Sequence, residues 1–272
     1  MYYLEFLELI RIEYQNLEIE KYKPLIENEK IIIKKENDEK SLLLIWFCLS
    51  VIEAKEIFHK AFLLLKTREY YKAWNELAQV EVIMHNIKYN VPDYMNYIAC
   101  KFIKINTIKL QKIFPYRLFT SMVFIVTDDE CSICGKSMNP FSGCEHIRGK
   151  VYSGELCISI VKDGNWISHD IVEKPAIKSA VLFDGLDDPE KYKLLEFIIP
   201  KLPNEYIRWD YNILTKYEPH SKYIIERNEL CPCLSGKKYK DCCMNNPKGI
   251  KYDHYEFLLP DNLLDQDQKV NG

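Results

Sequence analysis

The chain has 272 residues, of which 47% are hydrophobic and 28% are charged, a composition typical of a globular protein with an ordinary core. Its formal net charge of −3 provides no general attraction to nucleic acid or to an anionic membrane, so either contact would need a local basic patch. The longest apolar run, from Leu42 to Ile52, is too short for a transmembrane helix of ~20 residues. The N-terminus also lacks the basic and apolar regions of a signal peptide. We therefore expect no membrane span, a cytoplasmic location, and protein rather than nucleic acid as the favoured partner.

The first 122 residues carry apolar side chains at helical spacing and predict a helical domain. After a polar break from Lys34 to Lys40, Ser41 is expected to cap a long apolar helix that reaches about Lys66. A turn at 67–69 and a second periodic stretch complete a helical hairpin with some tetratricopeptide character. Because no repeat at a fixed period follows, an ordinary bundle is favoured over a solenoid.

The composition becomes richer in β-forming residues after Pro115. Two runs, Leu156 to Lys162 and Trp166 to Val172, predict the strands of a hairpin, with Asp163-Gly164 as its turn. The whole chain is therefore predicted to be α+β. The expected parts are a helical domain at 1–122, a small β-rich zinc-knuckle domain at 123–185, a helix and connector at 186–226, a zinc module at 227–246 and a flexible tail at 247–272.

The cysteines are unevenly placed along the sequence. Cys48 and Cys100 lie alone in apolar helical surroundings, whereas the other eight of the ten cysteines fall at 131–157 and 231–243. A reducing compartment disfavours stable disulfides, so clustered thiols in a protein of this kind more often hold a metal ion. The two clusters therefore predict two metal sites.

The C-terminal cluster combines a C-x-C pair, eight intervening residues and an adjacent C-C pair, which places ligands at Cys231, Cys233, Cys242 and Cys243. Zinc takes four soft ligands in a tetrahedron, and two close pairs at the ends of a short loop can supply them. About 20 residues are too few to bury a hydrophobic core, so we expect the metal to provide most of the folding free energy of this segment. The basic residues available to balance four thiolates are Arg227, Lys237, Lys238 and Lys240.

This segment closely resembles the SEC-C motif, named after the C-terminus of the SecA translocation ATPase, whose pattern is close to R-N-D-P-C-P-C-G-S-G-K-K-Y-K-x-C-C. The matching residues are Arg227, Asn228, Cys231, Pro232, Cys233, Ser235, Gly236, Lys237, Lys238, Tyr239, Lys240, Cys242 and Cys243. The chain departs from the pattern at Glu229-Leu230, in place of Asp-Pro, and at Leu234, in place of glycine. Neither departure removes a ligand.

The resemblance covers less than a tenth of the chain and implies binding rather than a reaction. It implies a zinc-dependent docking module, since the version in SecA contacts the export chaperone SecB and other members are appended to unrelated domains. The implied partner is a protein, either a chaperone or another protein with an acidic surface.

The central cluster begins with Cys131 and Cys134 in a C-x-x-C-G sequence, the pattern of a zinc knuckle. Cys144 and His146 lie two residues apart, so that they can face one side of an extended segment and complete a Cys₃His set. Cys157 is a fifth candidate that could replace His146 or belong to the core. With both clusters filled, the chain would hold two zinc ions.

The C-x-x-C pair followed by Glu145-His146-Ile147 also resembles HNH nucleases, in which a histidine activates water and a divalent ion stabilises the phosphate transition state. Those enzymes usually carry a second C-x-x-C and a downstream Asn and His in a ββα unit. Here the second C-x-x-C is absent, and Asn165 and His169 fall in the predicted hairpin. We therefore assign no catalytic residue and favour a zinc-binding adaptor. The alternative of a metal-dependent nuclease depends on whether His146 faces the cysteines or an open acidic pocket.

Overall fold

The computed structural model describes residues 1–139, 141, 143–182, 189–233, 235–260 and 263. The chain combines helices with small sheets, as the sequence predicts. It divides into two compact units, Met1–Pro200 with Asn204–Tyr206, and Lys201–Pro203 with Ile207–Gly272. The central cysteine cluster belongs to the first unit, and the C-terminal cluster belongs to the second.

The first unit is built on a helical bundle with the long helix α3 at its centre. The helices are α1 (Tyr2–Ile12), α2 (Ile19–Glu36), α3 (Glu39–Lys66), α4 (Tyr70–Asn90), α5 (Ile98–Lys112) and, later in the chain, α6 (Lys193–Ile198). Buried side chains surround α3, whereas α1 buries one stripe, Tyr3, Phe6, Leu7 and Ile10, at the spacing of an amphipathic helix. The predicted hairpin of two helices therefore lies within a larger bundle.

The start of α3 differs from the prediction. Asp38 caps the helix, because its carboxylate accepts hydrogen bonds from the backbone amide of Ser41 at 3.1 Å and from the Ser41 hydroxyl at 2.6 Å. Ser41 thus occupies the third helical position rather than the cap. The expected polar break is also shorter, since α2 continues to Glu36 despite its many charged residues.

A long antiparallel ribbon follows the bundle, formed by β1 (Phe119–Cys131) and β4 (Ser159–Val172). The predicted hairpin with a turn at Asp163-Gly164 is wrong, because both residues lie inside β4, opposite Asp128 and Val126 of β1. The glycine provides space rather than a turn. A Cβ atom at Gly164 would lie 2.2 Å from a ring carbon of Phe124.

A short hairpin in the connection between β1 and β4 docks onto the bundle. Its strands are β2 (Val151–Tyr152) and β3 (Glu155–Leu156), joined by Ser153 and Gly154 at φ of 49° and 74°, the positive values of a type I′ turn. The Glu39 carboxylate accepts hydrogen bonds from the amide and hydroxyl of Ser153, both at 2.8 Å. The Asn90 side-chain amide donates a hydrogen bond to the carbonyl of Gly149 at 2.8 Å and accepts one from the backbone amide of Val151 at 3.0 Å.

The second unit contains a regular antiparallel ribbon of β5 (Asp210–Glu218) and β6 (Ile250–Leu258). Its register runs from Asp210 opposite Leu258 to Glu218 opposite Ile250, so that the C-terminal cysteine segment lies in the connection between the two strands.

The segment 247–272 was expected to be a flexible tail, but residues 250–258 of it form β6. Its apolar and aromatic residues, including Tyr252, Tyr255 and Phe257, pair with β5. The strand was not predicted because the composition of the segment as a whole is polar. Residues 261, 262 and 264–272 of the expected tail lie outside the described residues. The other predicted boundaries between parts of the chain stay predictions.

Candidate metal centres

The four thiols of the C-terminal cluster come together. The sulfur atoms of Cys231, Cys233, Cys242 and Cys243 all lie within 4.8 Å of one another. Cys242 Sγ is 3.4 Å from Cys233 Sγ and 3.8 Å from Cys243 Sγ. Zinc–sulfur bonds of ~2.3 Å in a tetrahedron place the sulfur atoms ~3.8 Å apart, so the four thiols fit one zinc ion.

The backbone between the two cysteine pairs forms a tight loop that positions the sulfur atoms. The amide of Cys231 donates to the carbonyl of Lys237 at 2.8 Å, and the amide of Tyr239 donates to the carbonyl of Glu229 at 2.8 Å. A single turn of 3₁₀ helix at Tyr239–Asp241 then delivers the adjacent cysteine pair. The hydroxyl of Ser235 lies 3.2 Å from Cys242 Sγ, where it can donate to a thiolate.

A small core supports this cluster, which the sequence alone did not indicate. Cys231, Tyr239, Cys243 and Ile250 are buried together, and partly buried apolar side chains pack around them. The Tyr239 hydroxyl and His220 Nδ1 are 2.7 Å apart, and His220 Nε2 is 3.0 Å from the carbonyl oxygen of Asn246. His220 therefore orients the loop and does not belong to the metal cluster. Because the apolar partner Ile250 comes from β6, only the fold could reveal it.

Two of the C-terminal thiols have pKa values that are shifted in opposite directions. Burial acts to raise the pKa of the Cys233 thiol, but donation from the Ser235 hydroxyl and from the neighbouring thiols of Cys231 and Cys242 lowers it to about 6. Burial raises the pKa of the Cys243 thiol to about 12, and the surrounding thiols add to this. In the protein without metal, Cys233 thus ionises more readily than Cys243, and a bound divalent ion would stabilise all four thiolates.

The central cluster brings Cys131, Cys134, Cys144 and His146 together, with all four ligand atoms within 4.8 Å of one another. Cys144 Sγ lies 3.7 Å from Cys134 Sγ and 3.8 Å from His146 Nδ1. His146 therefore faces the cysteines. These separations also fit a tetrahedral zinc site with three sulfur ligands and one nitrogen ligand.

The C-x-x-C-G segment adopts the tight turn of a zinc knuckle. The amide of Ile133 donates to Cys131 Sγ at 3.4 Å, and the amide of Gly135 donates to the carbonyl of Cys131 at 2.8 Å. Gly135 has a φ of 70°, a left-handed conformation that glycine adopts without strain. Burial opposes the ionisation of Cys131, but the amides of Ile133 and Cys134 outweigh it and lower the pKa of this thiol to about 6.

Cys157, the fifth candidate, lies beside the central cluster but is not one of the four grouped ligands. Its sulfur atom is fully buried and lies 3.7 Å from Cys131 Sγ. Burial, together with the hydrogen bond to Cys131, raises the pKa of Cys157 to about 11. Cys157 is therefore suited to remain a neutral thiol that donates to the Cys131 thiolate.

The two downstream residues of the nuclease hypothesis lie on β4, where Asn165 pairs with Ile125 and His169 pairs with Met122. His169 is not part of either group of ligand side chains found among the described residues. The His146 ring instead packs edge-on against Tyr152, with ring centroids 4.6 Å apart. The imidazole thus lies against Cys144 and Tyr152, an orientation that would suit a metal ligand.

None of the helices that the structure describes is long and apolar enough to cross a membrane. The model of the SEC-C motif family matches residues 227–245. The protein translocase subunit SecA of Wolinella succinogenes is 47% identical over 38 residues, a segment that covers 14% of this chain and only 4% of that relative. No solved structure matches the chain. The chain thus contains a SEC-C motif at 227–245, and this motif and its two cysteine-rich clusters fit a metal-binding protein.

Proposed function

We propose that this chain is a zinc-binding adaptor whose C-terminal module docks onto another protein. The observation that carries the proposal is the closed set of four thiols at 231–243, in a motif similar to a segment of SecA. Four protein ligands leave no open position for water or substrate, which is the character of a structural rather than a catalytic zinc site. The metal would then hold a binding surface in shape.

The surface of the module indicates the chemistry of the partner. Leu230 is 70% exposed and pairs through its backbone with Lys238, which is itself exposed, as is Lys237. An apolar side chain beside two ammonium groups is complementary to a protein surface that presents an apolar pocket with carboxylates around it. A chaperone or another protein with such an acidic surface is the partner class that we propose.

The central cluster would hold a second zinc ion through Cys131, Cys134, Cys144 and His146, which makes two ions per chain. Cys131 ends β1, while Cys144 and His146 come from the connection that follows it. A metal at this position would fix the connection against the end of the ribbon. Its role would therefore be structural, with no step of a reaction assigned to it.

A direct test compares partner capture by two kinds of variant. We expect Cys231→Ser to release the C-terminal zinc and to lose the partner. The double variant Lys237→Glu with Lys238→Glu, compared at equal zinc content, should bind the partner at least about tenfold more weakly, because its charge now repels an acidic surface. Lys251→Glu, a charge reversal at an exposed position of β6, is the control. Equal capture by the wild type and both variants would remove the docking function.

The nuclease alternative receives a separate test. Since His146 faces the cysteines, purified protein should leave DNA and RNA intact with magnesium, manganese or nickel present. Cleavage that His146→Ala abolishes would instead establish the hydrolytic activity and would reject a purely structural role for the central cluster.

A further inference from the structure

A small pocket lies between α4 and α5 of the first unit. Its volume is about 160 Å³. Pockets that take drug-sized molecules have volumes of roughly 300–1,000 Å³, so this pocket suits a smaller ligand. The residues that line it include Glu81, Met84 and Lys88 of α4 and Lys104, Thr107 and Ile108 of α5. Because these residues lie on two helices of the bundle, their positions are fixed by the packing of the core.

The pocket has an excess of positive charge. The helix α5 contains four lysines and no acidic residue, although the whole chain has a net charge of −3. Lys104 of α5 and Lys88 of α4 both line the pocket. Glu81, the acidic residue of this lining, already accepts from Lys178 at 2.5 Å. The charge of Glu81 is therefore balanced within the chain, and the two lysines that line the pocket can attract an anion.

The ammonium group of Lys104 has no carboxylate partner among the described residues. It donates to the hydroxyl of Tyr94, a neutral group, and lies 5.1 Å from the centroid of the Tyr94 ring. The Lys104 side chain is partly buried, so its charge is screened less by solvent than that of a fully exposed lysine. An anion in the pocket would provide the counter-charge that the chain itself does not.

Thr107 adds a hydrogen-bond donor to the lining of the pocket. The residue is 2% exposed, and its buried hydroxyl has no hydrogen-bond partner among the described residues. Such groups are rare in folded proteins, because a buried polar atom without a partner has lost its hydrogen bonds to water. A ligand oxygen could accept from this hydroxyl. The hydroxyl and the two lysines therefore indicate the same class of ligand, an oxyanion.

We propose that the pocket between α4 and α5 binds the phosphate group of a small phosphomonoester. Separate donors on two helices suit a tetrahedral phosphate, whereas a planar carboxylate is bound best by the paired donors of an arginine, which the described lining lacks. Met84 and Ile108 provide apolar surface for the small organic group that the phosphate carries. The proposal concerns the first unit alone and does not rest on the docking function of the C-terminal module.

Isothermal titration calorimetry of the full chain, at constant ionic strength, tests the proposal with phenyl phosphate, inorganic phosphate and benzoate. We expect phenyl phosphate to bind with a Kd below about 1 mM. Inorganic phosphate should bind more weakly, because it lacks the apolar group that contacts Met84 and Ile108. Benzoate should bind at least about tenfold more weakly than phenyl phosphate, because its carboxylate carries less charge and has fewer acceptor oxygens.

Three variants locate the site. Lys88→Gln should weaken the binding of phenyl phosphate at least about tenfold, because a charge-assisted hydrogen bond is lost. Thr107→Val keeps the shape of the side chain without the hydroxyl and should weaken binding at least about threefold. Its Tm should not fall, since this hydroxyl has no partner in the free protein. Lys35→Gln removes a charge at an exposed position of α2 and should leave the affinity unchanged.

A wild-type chain that does not bind phenyl phosphate at millimolar concentration would overturn the proposal. Binding that Lys88→Gln and Thr107→Val leave unchanged would reject this pocket as the site. Tighter binding of benzoate than of phenyl phosphate would reject phosphate as the ligand group. A lower Tm for Thr107→Val would show that the hydroxyl stabilises the free protein, and would remove its role as a donor kept for the ligand.

Discussion

The central cluster offers five ligand side chains for the four positions of a tetrahedral ion. His146 points its Nδ1 at Cys144 from 3.8 Å, whereas Cys157 contacts the cluster through Cys131 only, at 3.7 Å between sulfur atoms. Since burial holds the pKa of Cys157 near 11, its proton stays in place at neutral pH and can be donated to the Cys131 thiolate. The imidazole is therefore the better fourth ligand.

This assignment predicts different outcomes for two substitutions. His146→Ala should lower the zinc content from two ions per chain to one, because the central site keeps only three ligands. Cys157→Ser should leave the content at two, since its hydroxyl can still donate to Cys131. Elemental analysis of dialysed, reduced protein measures both. The reverse pattern would make Cys157 the ligand and His146 its neighbour.

Gly249 lies where the chain enters β6, and its conformation excludes other residues. Its φ is 104°, and a Cβ atom there would lie 2.1 Å from the carbonyl oxygen of Glu218. We expect Gly249→Ala to destabilise the second unit by more than about 2 kcal/mol, because both the backbone strain and the clash must be relieved. Hydrogen exchange of the β5–β6 amides measures the loss.

Gly236 is the matched control for Gly249. It also has a positive φ, of 71°, but an added Cβ would meet no atom within 4 Å. Gly236→Ala should therefore cost only about 1 kcal/mol, the strain of a left-handed alanine. Equal losses for the two variants would show that the contact with Glu218 contributes nothing.

At the scale of single residues, the sequence predicts the candidate metal ligands better than it predicts the residues that pack around them. All eight proposed ligands could be named from cysteine spacing and the nearby histidine, because close pairs are local in sequence. Tyr239, His220 and Ile250 support the C-terminal cluster only through contacts made by the folded loop and by β6. Those contacts join positions as far as 26 residues apart, a separation that no local spacing pattern can predict.

Among the elements, the short β2–β3 hairpin holds the segment that follows the central cluster against the helical bundle. Its docking onto α4 depends on Asn90, which accepts from the Val151 amide and donates to the Gly149 carbonyl. Asn90→Ala should therefore destabilise the first unit by about 1 to 3 kcal/mol, because both backbone groups lose a partner at a partly buried site. Urea denaturation measures this change, and Gln79→Ala at an exposed position of α4 should have almost no effect. A loss equal to that of the control would mean that the hairpin docks without Asn90.

The strands show why local signals mislead about elements. Asp163-Gly164 has the composition of a hairpin turn, yet the pair lies within β4, where Gly164 makes room for the Phe124 ring. A local reading of the sequence also misses β6, because its alternation of apolar and polar side chains is short and polar residues surround it. The helices α3 and α4 were predictable, since their apolar periodicity extends over several turns.

On the scale of the whole molecule, the two units should respond differently to loss of metal. The helices of the first unit share an extensive apolar core that includes Phe6, Phe47 and Leu77, so they should survive chelation. Among the described residues of the second unit, the cysteine loop is supported by a small core around Tyr239 and Ile250, and the thiols there would otherwise repel one another as they ionise.

This contrast can be measured by hydrogen exchange before and after treatment with a strong chelator. Amides at 227–246 should lose their protection, while those of α3 and α4 should keep theirs. The same loss throughout both units would show that the metal stabilises the chain as a whole. No loss at 227–246 would show that the small core holds the loop by itself.

Whether the four C-terminal thiols bind a zinc ion can be measured as the metal content of freshly purified, fully reduced protein. We expect two zinc ions per wild-type chain and one in the variant that combines Cys233→Ser with Cys242→Ser. A wild-type chain that contains no zinc, or a variant that contains as much as the wild type, would contradict this expectation.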